Sequence, residues 1–461
     1  MDRLPFGRFH ILVVTALGIT WVLDGLEVTI IGSIGPILQD RATLALTTQD
    51  IGSVAAFYVL GAVSGAVFFG WLTDRFGRRP IFNVTLGIYL LGVLTTALSW
   101  NFWSFALFRG LTGIGVGGEY AAIDSAVDEL IPARLRGRID MIVNGSYWGG
   151  AILGAAASVA LLSGRFVSPD IGWRLAFGIG GGLGVFIIFL RRFVPESPRW
   201  LVTHARPEDA ERTTHDIETR IERRGHKLPR PEAKLKVRPQ RRFGFGVILG
   251  GMGGKNLPRS ALALTLMVAQ AFLFNSVFFT YGLVLSTFYQ VNPARIGLYI
   301  LPLAAGNLLG PLLLGPLFDS VGRRRMVTGT FAVSGVLLAI VAVLFGMGLL
   351  TAFTQTAAWM VIFFFSSTAA SSAYLTTSEI FPLETRALAL ALFYAIGTAS
   401  GGIVAPWLFG QLIASGAAWA VACGYVAAAT LMLVGAGMEA WLGIDAEGKS
   451  LESVATPLSS Q

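Results

Sequence analysis

The hexapeptide Asp74-Arg75-Phe76-Gly77-Arg78-Arg79 returns 245 positions later as Asp319-Ser320-Val321-Gly322-Arg323-Arg324. A second pair has nearly the same offset. Glu129 and Arg136 enclose six residues, and Glu379 and Arg386 repeat that spacing 250 positions on. Each copy lies between long apolar stretches. In a chain of 461 residues this period predicts two halves built on one plan. Such duplication in a membrane protein points to transport before any substrate is considered.

The membrane follows from the apolar stretches. Only 13% of residues are charged, where a soluble protein carries about 25%, and runs of about 20 apolar residues recur throughout. The pattern predicts spans at 9–38, 49–72, 80–99, 102–128, 139–164 and 171–194, then 259–290, 295–317, 326–349, 352–380, 387–414 and 417–441. The expected fold is all-α and integral to the membrane, with twelve transmembrane helices in two pseudo-symmetric six-helix bundles. Its 56 glycines suit helices packed closely in lipid. The bundles occupy 1–194 and 259–441, joined by a linker over 195–258 and followed by a tail over 442–461. Met1 to Arg8 is too short and mixed in charge for a cleavable signal. The single cysteine, Cys423, leaves no role for disulfides.

Orientation follows from charge. With both termini in the cytoplasm, 30 of the 35 Lys and Arg lie on that side. Arg41, Arg165, Arg174 and Arg295 fall outside, and Arg109 lies within a span. The surplus of +8 therefore marks topology and contact with anionic lipid, and no nucleic-acid partner is expected. In the linker, Pro207 to Arg224 places acids early and bases late, as a surface helix prefers. Phe243 to Gly254 is apolar but too short to span and reads as interfacial.

The motifs resemble the major facilitator superfamily, and within it the sugar-porter-related branch. Gly70-x-Leu72-x-Asp74-Arg75-x-Gly77-Arg78-Arg79 resembles the loop signature between helices 2 and 3. Pro195-Glu196-Ser197-Pro198-Arg199 and Ser378-Glu379-Ile380-Phe381-Pro382 resemble the P-E-S-P-R and S-E-I-F-P segments. Gly448-Lys449-Ser450-Leu451-Glu452 resembles the final G-K-S-L-E. The resemblance spans nearly the whole chain. It implies the major facilitator fold, a location in the plasma membrane, no cofactor beyond a coupling proton, and a functional monomer. It also implies a cytoplasmic gate of Asp74, Arg78, Arg79, Glu129, Arg136, Glu196, Asp319, Arg323, Arg324, Glu379 and Arg386, closed when the carrier faces outward. Arginines and carboxylates at adjoining helix ends can form such charge-assisted bonds; the plainer reading is that they only mark topology.

Ionisable groups inside a span are costly and point to function. Asp24, Glu27, Glu119 and Arg109 qualify, while Asp124, near a helix end, reads as structural. At 1.5 Å per residue, Glu27 and Arg109 both lie on the outer side of the mid-plane, within roughly 4 Å of each other in depth. They can pair if helices 1 and 4 adjoin, as the resemblance implies. A carboxylate that pairs with arginine when ionised and gains a proton when unpaired suits proton coupling; the alternative is a fixed ion pair. Asp24-Gly25-Leu26-Glu27 resembles the helix-1 motif of aromatic-acid proton symporters, and Glu119 resembles a feature of organic-acid and niacin-type carriers. Both acids could instead line water.

For the substrate, Asn144, Gln270, Asn275 and Asn307 are candidate polar groups, walled by Tyr147, Trp148, Tyr374, Tyr394 and Trp407. Amides both donate and accept hydrogen bonds, which suits hydroxylated or carboxylated metabolites. Gln270 and Asn275 keep the spacing of the sugar-porter helix-7 motif, but Ala269 replaces its first glutamine. Any one amide could equally be a helix-packing bond. The expected function is proton symport of a small polar metabolite, organic acid or sugar-like, by alternating access. An exporter or antiporter of the same fold, or a non-transporting membrane sensor, is the rival. No metal-ligand cluster, nucleophile elbow or nucleotide loop points to an enzyme.

Overall fold

The computed structural model describes residues 2, 4–162, 167–191, 194–222, 228, 253–278, 280–291 and 296–456. Most of the expected interfacial segment at 243–254 lies outside these residues, as do Arg165, Arg224 and Arg295. Among the described residues every regular element is helical.

The first half comprises α1 (Arg8–Leu38), α2 (Thr48–Phe76), α3 (Arg78–Ala97), α4 (Phe102–Leu130), α5 (Arg136–Leu162) and α6 (Pro169–Arg191). Two short helices follow, α7 (Pro198–Thr203) and α8 (Pro207–Glu222). The second half comprises α9 (Leu257–Phe278), α10 (Tyr281–Tyr289), α11 (Ile296–Ser320), α12 (Arg323–Gly346), α13 (Ala352–Ile380), α14 (Arg386–Ala399), α15 (Ala405–Ala414) and α16 (Ala418–Leu442), with α17 (Leu451–Val454) in the tail. Ten helical segments among the described residues are long and apolar enough to cross a membrane. The other two spans are α4 and α5, of 29 and 27 residues, which carry the buried acids Glu119, Asp124, Asp128, Glu129 and Asp140. Together these make the twelve-helix, two-bundle fold.

Two spans depart from single helices. The seventh, expected as continuous over 259–290, breaks between α9 and α10. There Thr280 folds back, its N–H donating to the Val277 carbonyl at 3.1 Å and its hydroxyl to the Ser276 carbonyl at 2.5 Å. The eleventh contains a π-helical turn over Ser400–Val404, where Gly401 presses on the Ala271 backbone of α9. Elsewhere the duplication reaches the helix ends. Asn101 caps α4 by accepting the Ser104 N–H at 2.9 Å, and Thr351 caps α13 by accepting the Thr354 N–H at 3.2 Å.

Close crossings position the site. Gly25 of α1 lies against the Tyr147 carbonyl of α5, and Gly150 lies against the Val22 carbonyl. A side chain at either would force the helices apart, so α1 meets α5 within two turns of Trp21, Asp24 and Glu27. The connector helix α8 buries only Ala210, Ile217 and Ile221, as its sparse apolar pattern predicts for a surface helix.

Candidate functional site

On the face that carries the described ends and the connector, the two repeats interlock. Glu129 of the first half accepts from Arg78 at 2.7 Å and from Arg386 of the second half at 3.5 Å. Glu379 mirrors it, accepting from Arg323 at 3.1 Å and from Arg136 of the first half at 3.3 Å. Each glutamate thus bridges an arginine of its own bundle and one of the other. All six side chains are buried.

The repeated aspartates make a second exchange. Asp74 accepts the Ala387 and Leu388 N–H groups at 3.3 and 2.9 Å, at the start of α14. Asp319 accepts the Gly137 and Arg138 N–H groups at 3.1 and 2.8 Å, at the start of α5. Each half therefore places a carboxylate on a helix N-terminus of the other, where exposed N–H groups and the helix dipole favour an anion. Glu196 does the same within its half, accepting the Arg78 and Arg79 N–H groups at 3.0 and 3.2 Å. Burial holds the Glu196 carboxyl above its usual range, and Arg78 and these N–H groups offset only part of that rise.

The second arginine of each repeat stands apart from this network. Among the described residues Arg79 gives its backbone N–H and its side chain is exposed, while Arg324 donates to the Ala440 carbonyl. Each follows the latch arginine by one residue, so the helix turns it away. The tail joins the latch through the last residues of two quoted motifs, Arg199 and Glu452, which pair at 2.9 Å; Arg199 also pairs at 2.5 Å with Asp2, a residue not singled out in the sequence.

Gly77 and Gly322 have φ of 100° and 112°, and an added Cβ at Gly77 would strike the Glu196 carboxylate. Gly77→Ala is expected to cost about 1–3 kcal/mol, the range for a backbone region used essentially by glycine. Thermal unfolding of the detergent-solubilised protein would measure it, and an unchanged midpoint would contradict the assignment.

Inside the bundle, Arg109 of α4 donates directly to the Glu27 carboxylate of α1, and both are buried. The guanidinium also lies over the Tyr58 ring at 4.5 Å and the Phe177 ring at 5.9 Å. Aromatic faces are a favourable place for a desolvated cation. Asp24 and Glu119 are wholly buried, and Tyr58, Tyr89 and Tyr120 gather around this group of acids.

Between the halves is an aromatic cluster. Trp21 stacks on Tyr120 at 4.5 Å with rings 2° from parallel. Tyr120 meets Tyr394 edge-on at 5.0 Å, Tyr374 lies 6.2 Å from Tyr394, and Trp21 lies 6.3 Å from Tyr147. Trp148 packs on Phe274 and Phe278 at 5.9 and 5.3 Å. Trp21 and Tyr120 were not among the expected wall residues. Their signal was position: Trp21 is three before Asp24, on the same helix face, and Tyr120 follows Glu119. Trp407 is a correction. It is 66% exposed, because α15 buries Ala405, Phe409 and Ile413 and turns 407 to the opposite side.

The amides divide. Gln270 reaches the Tyr374 hydroxyl and so faces the cluster. Asn275 and Asn307 each donate to a carbonyl one turn back in their own helix, at 2.6 and 2.9 Å. Asn307 is fully buried, and its backbone carbonyl accepts the Ser367 hydroxyl at 2.8 Å across α11 and α13. Asn144 donates to Asp140 at 3.1 Å and to Asp124 at 3.5 Å. The Asn144 amide thus joins α5 to α4, while those of Asn275 and Asn307 bond within their own helices; Asp140 had carried no expectation.

Comparison with known proteins places this geometry. The profile of the family described as sugar (and other) transporter matches residues 19–457. The niacin transporter NiaP of Acinetobacter baylyi is 29% identical over 98% of this chain and 98% of its own. The putative metabolite transport protein YyaJ of Bacillus subtilis is 27% identical over 90% of this chain and 87% of its own. The solved proton:xylose symporter XylE, bound to 6-bromo-6-deoxy-D-glucose, aligns over 97% of this chain and 98% of that one, with a TM-score of 0.76 and 19% identity. At that identity the likeness establishes the shared major facilitator fold.

Proposed function

The chain belongs to the sugar (and other) transporter family and is a membrane transporter, not an enzyme, and on that basis we propose proton-coupled symport of a small polar metabolite. The observation that carries the reading is the buried Glu27–Arg109 contact beside an aromatic cluster built from both halves. Protonating Glu27 removes its charge and leaves the guanidinium available to an anion. Proton and anionic substrate then load together, and the Coulomb cost of an unpaired buried charge disfavours loading either alone. Reorganisation of the latch exposes the site to the opposite side, as alternating access requires.

An organic acid with a flat ring is the substrate class best matched to the site. Stacked and edge-on aromatic faces accept a ring, and three of the four candidate amides already donate to groups of the protein. The 29% identity to a protein named a niacin transporter supports the same class. A sugar-like substrate is the second reading, favoured by Gln270 at the cluster. With the latch face cytoplasmic, the closed latch gives a site entered from outside.

Uptake of labelled niacin and of xylose into proteoliposomes, with and without an inward proton gradient, tests both parts. Niacin accumulation that collapses with the gradient is expected. Uptake indifferent to the gradient would remove proton coupling, and accumulation of xylose alone would remove the organic-acid assignment.

A further inference from the structure

One turn from the latch lies a group of acids that neither the latch nor Glu27 uses. Asp124 of α4 and Asp140 of α5 are both wholly buried. The Asn144 amide nitrogen lies 3.1 Å from Asp140 Oδ2 and 3.5 Å from Asp124 Oδ1, so one donor ties the two carboxyls together. Among the described residues, Asp124 Oδ2, Asp140 Oδ1 and Asn144 Oδ1 are buried without a hydrogen-bond partner. Asn144 itself is only 6% exposed.

Charge counting isolates the pair. The four buried latch arginines are Arg78, Arg136, Arg323 and Arg386. Within 4.0 Å of them lie Asp74, Glu129, Asp128 and Glu379, and also Asp2 and Asp319. Asp124 and Asp140 have no such arginine or lysine among the described residues. The groups facing them are Asp128 of α4, Arg323 of α12, and Glu379 and Tyr374 of α13. Two buried carboxyls sharing one neutral donor cannot both stay ionised at reasonable cost, so at least one proton is retained.

The place of the pair gives the proton a use. Along α4, Tyr120, Asp124 and Asp128 are four residues apart; along α5, Arg136, Asp140, Asn144 and Trp148 are also four apart. Each series follows one helix face. The pair therefore stands between the aromatic cluster and the Arg136–Glu379 contact. We propose that Asp124 and Asp140 form a proton-binding pair, distinct from Glu27, that holds one shared proton while the latch is closed and releases it when the latch opens. With one proton held, the pair carries a single negative charge instead of two, and so competes less with Glu379 for Arg136 and Arg323. When the latch parts, water and the freed arginines stabilise the ionised pair, and the proton leaves on that face. Only the link to opening rests on alternating access; the shared proton itself does not.

Infrared spectroscopy of the full chain in an ester-free detergent tests this at neutral pH. The wild type is expected to show the C=O band of a protonated buried carboxylic acid. That band should vanish in Asp124→Asn/Asp140→Asn, persist in Glu27→Gln and weaken in the latch variant Glu129→Gln/Glu379→Gln. Should the double variant not fold, either single variant serves, since asparagine matches the shape of a neutral aspartic acid. A band unchanged in the pair variants overturns the proposal. So does a wild type whose thermal stability rises with sodium and not with acid, which would make this a metal-cation site. Gradient-independent uptake with the band intact would remove the symport reading and leave the pair standing.

Discussion

Arg109→Ala is expected to destabilise the protein by about 3–5 kcal/mol, the cost of leaving one partner of a buried ion pair uncompensated, and to abolish gradient-driven accumulation. The reason is the placement of Glu27, buried on α1 with Arg109 donating to it. Without the guanidinium the carboxylate is either a lone buried charge or permanently protonated, and neither state can cycle. Adding Glu27→Gln to Arg109→Ala is expected to restore most of the lost stability and none of the accumulation. Glu27→Gln alone should keep substrate exchange across equal concentrations, a step that needs no net proton release, while accumulation falls by more than tenfold. Thermal unfolding and paired uptake and exchange assays separate these outcomes. A Glu27→Gln protein that still concentrates substrate against its gradient would contradict the role given to this residue.

Opening the latch is the second large effect. Glu129→Gln with Glu379→Gln removes the charge from both carboxylates that bridge the halves. A hydrogen bond to a charged group contributes about 1.5–3 kcal/mol, so losing even one such term shifts the closed–open equilibrium roughly 10- to 100-fold towards opening on this face. Spin labels at Phe76→Cys and Val321→Cys, both exposed positions in the repeated motifs, would report the change in a Cys423→Ser background. The double variant is expected to show a longer, newly populated distance. A distribution identical to the parent would reduce the network to a marker of topology.

What could be read in the sequence was what repeats or what is anomalous. The latch was visible because its charges recur at a fixed offset beside apolar runs, and the Glu27–Arg109 pair because lone charges inside spans are costly. Asp140 was missed for a positional reason. The fifth span was placed from 139, but α5 begins at Arg136 and buries Asp140 one turn inside it. Trp21 and Tyr120 were missed because aromatic residues are unremarked in apolar helices; only tertiary packing brings them into stacking contact. Asn144, Asn275 and Asn307 each donate to the carbonyl one turn back in their own helix, and sequence cannot say which way such an amide turns. The break near Thr280 left no trace, since apolar residues run through it.

The reciprocal aspartates carry a mechanical meaning. Asp74 and Asp319 each hold on to main-chain N–H groups at the head of a helix in the opposite bundle. Main chain has no rotamers with which to follow a retreating partner, and a hydrogen bond weakens steeply once stretched beyond its normal length. Such a clasp is brittle where a pair of long flexible side chains would be elastic. Both clasps must snap within the first small separation of the bundles, which favours a threshold over a gradual yielding and leaves little room for a half-open carrier that leaks.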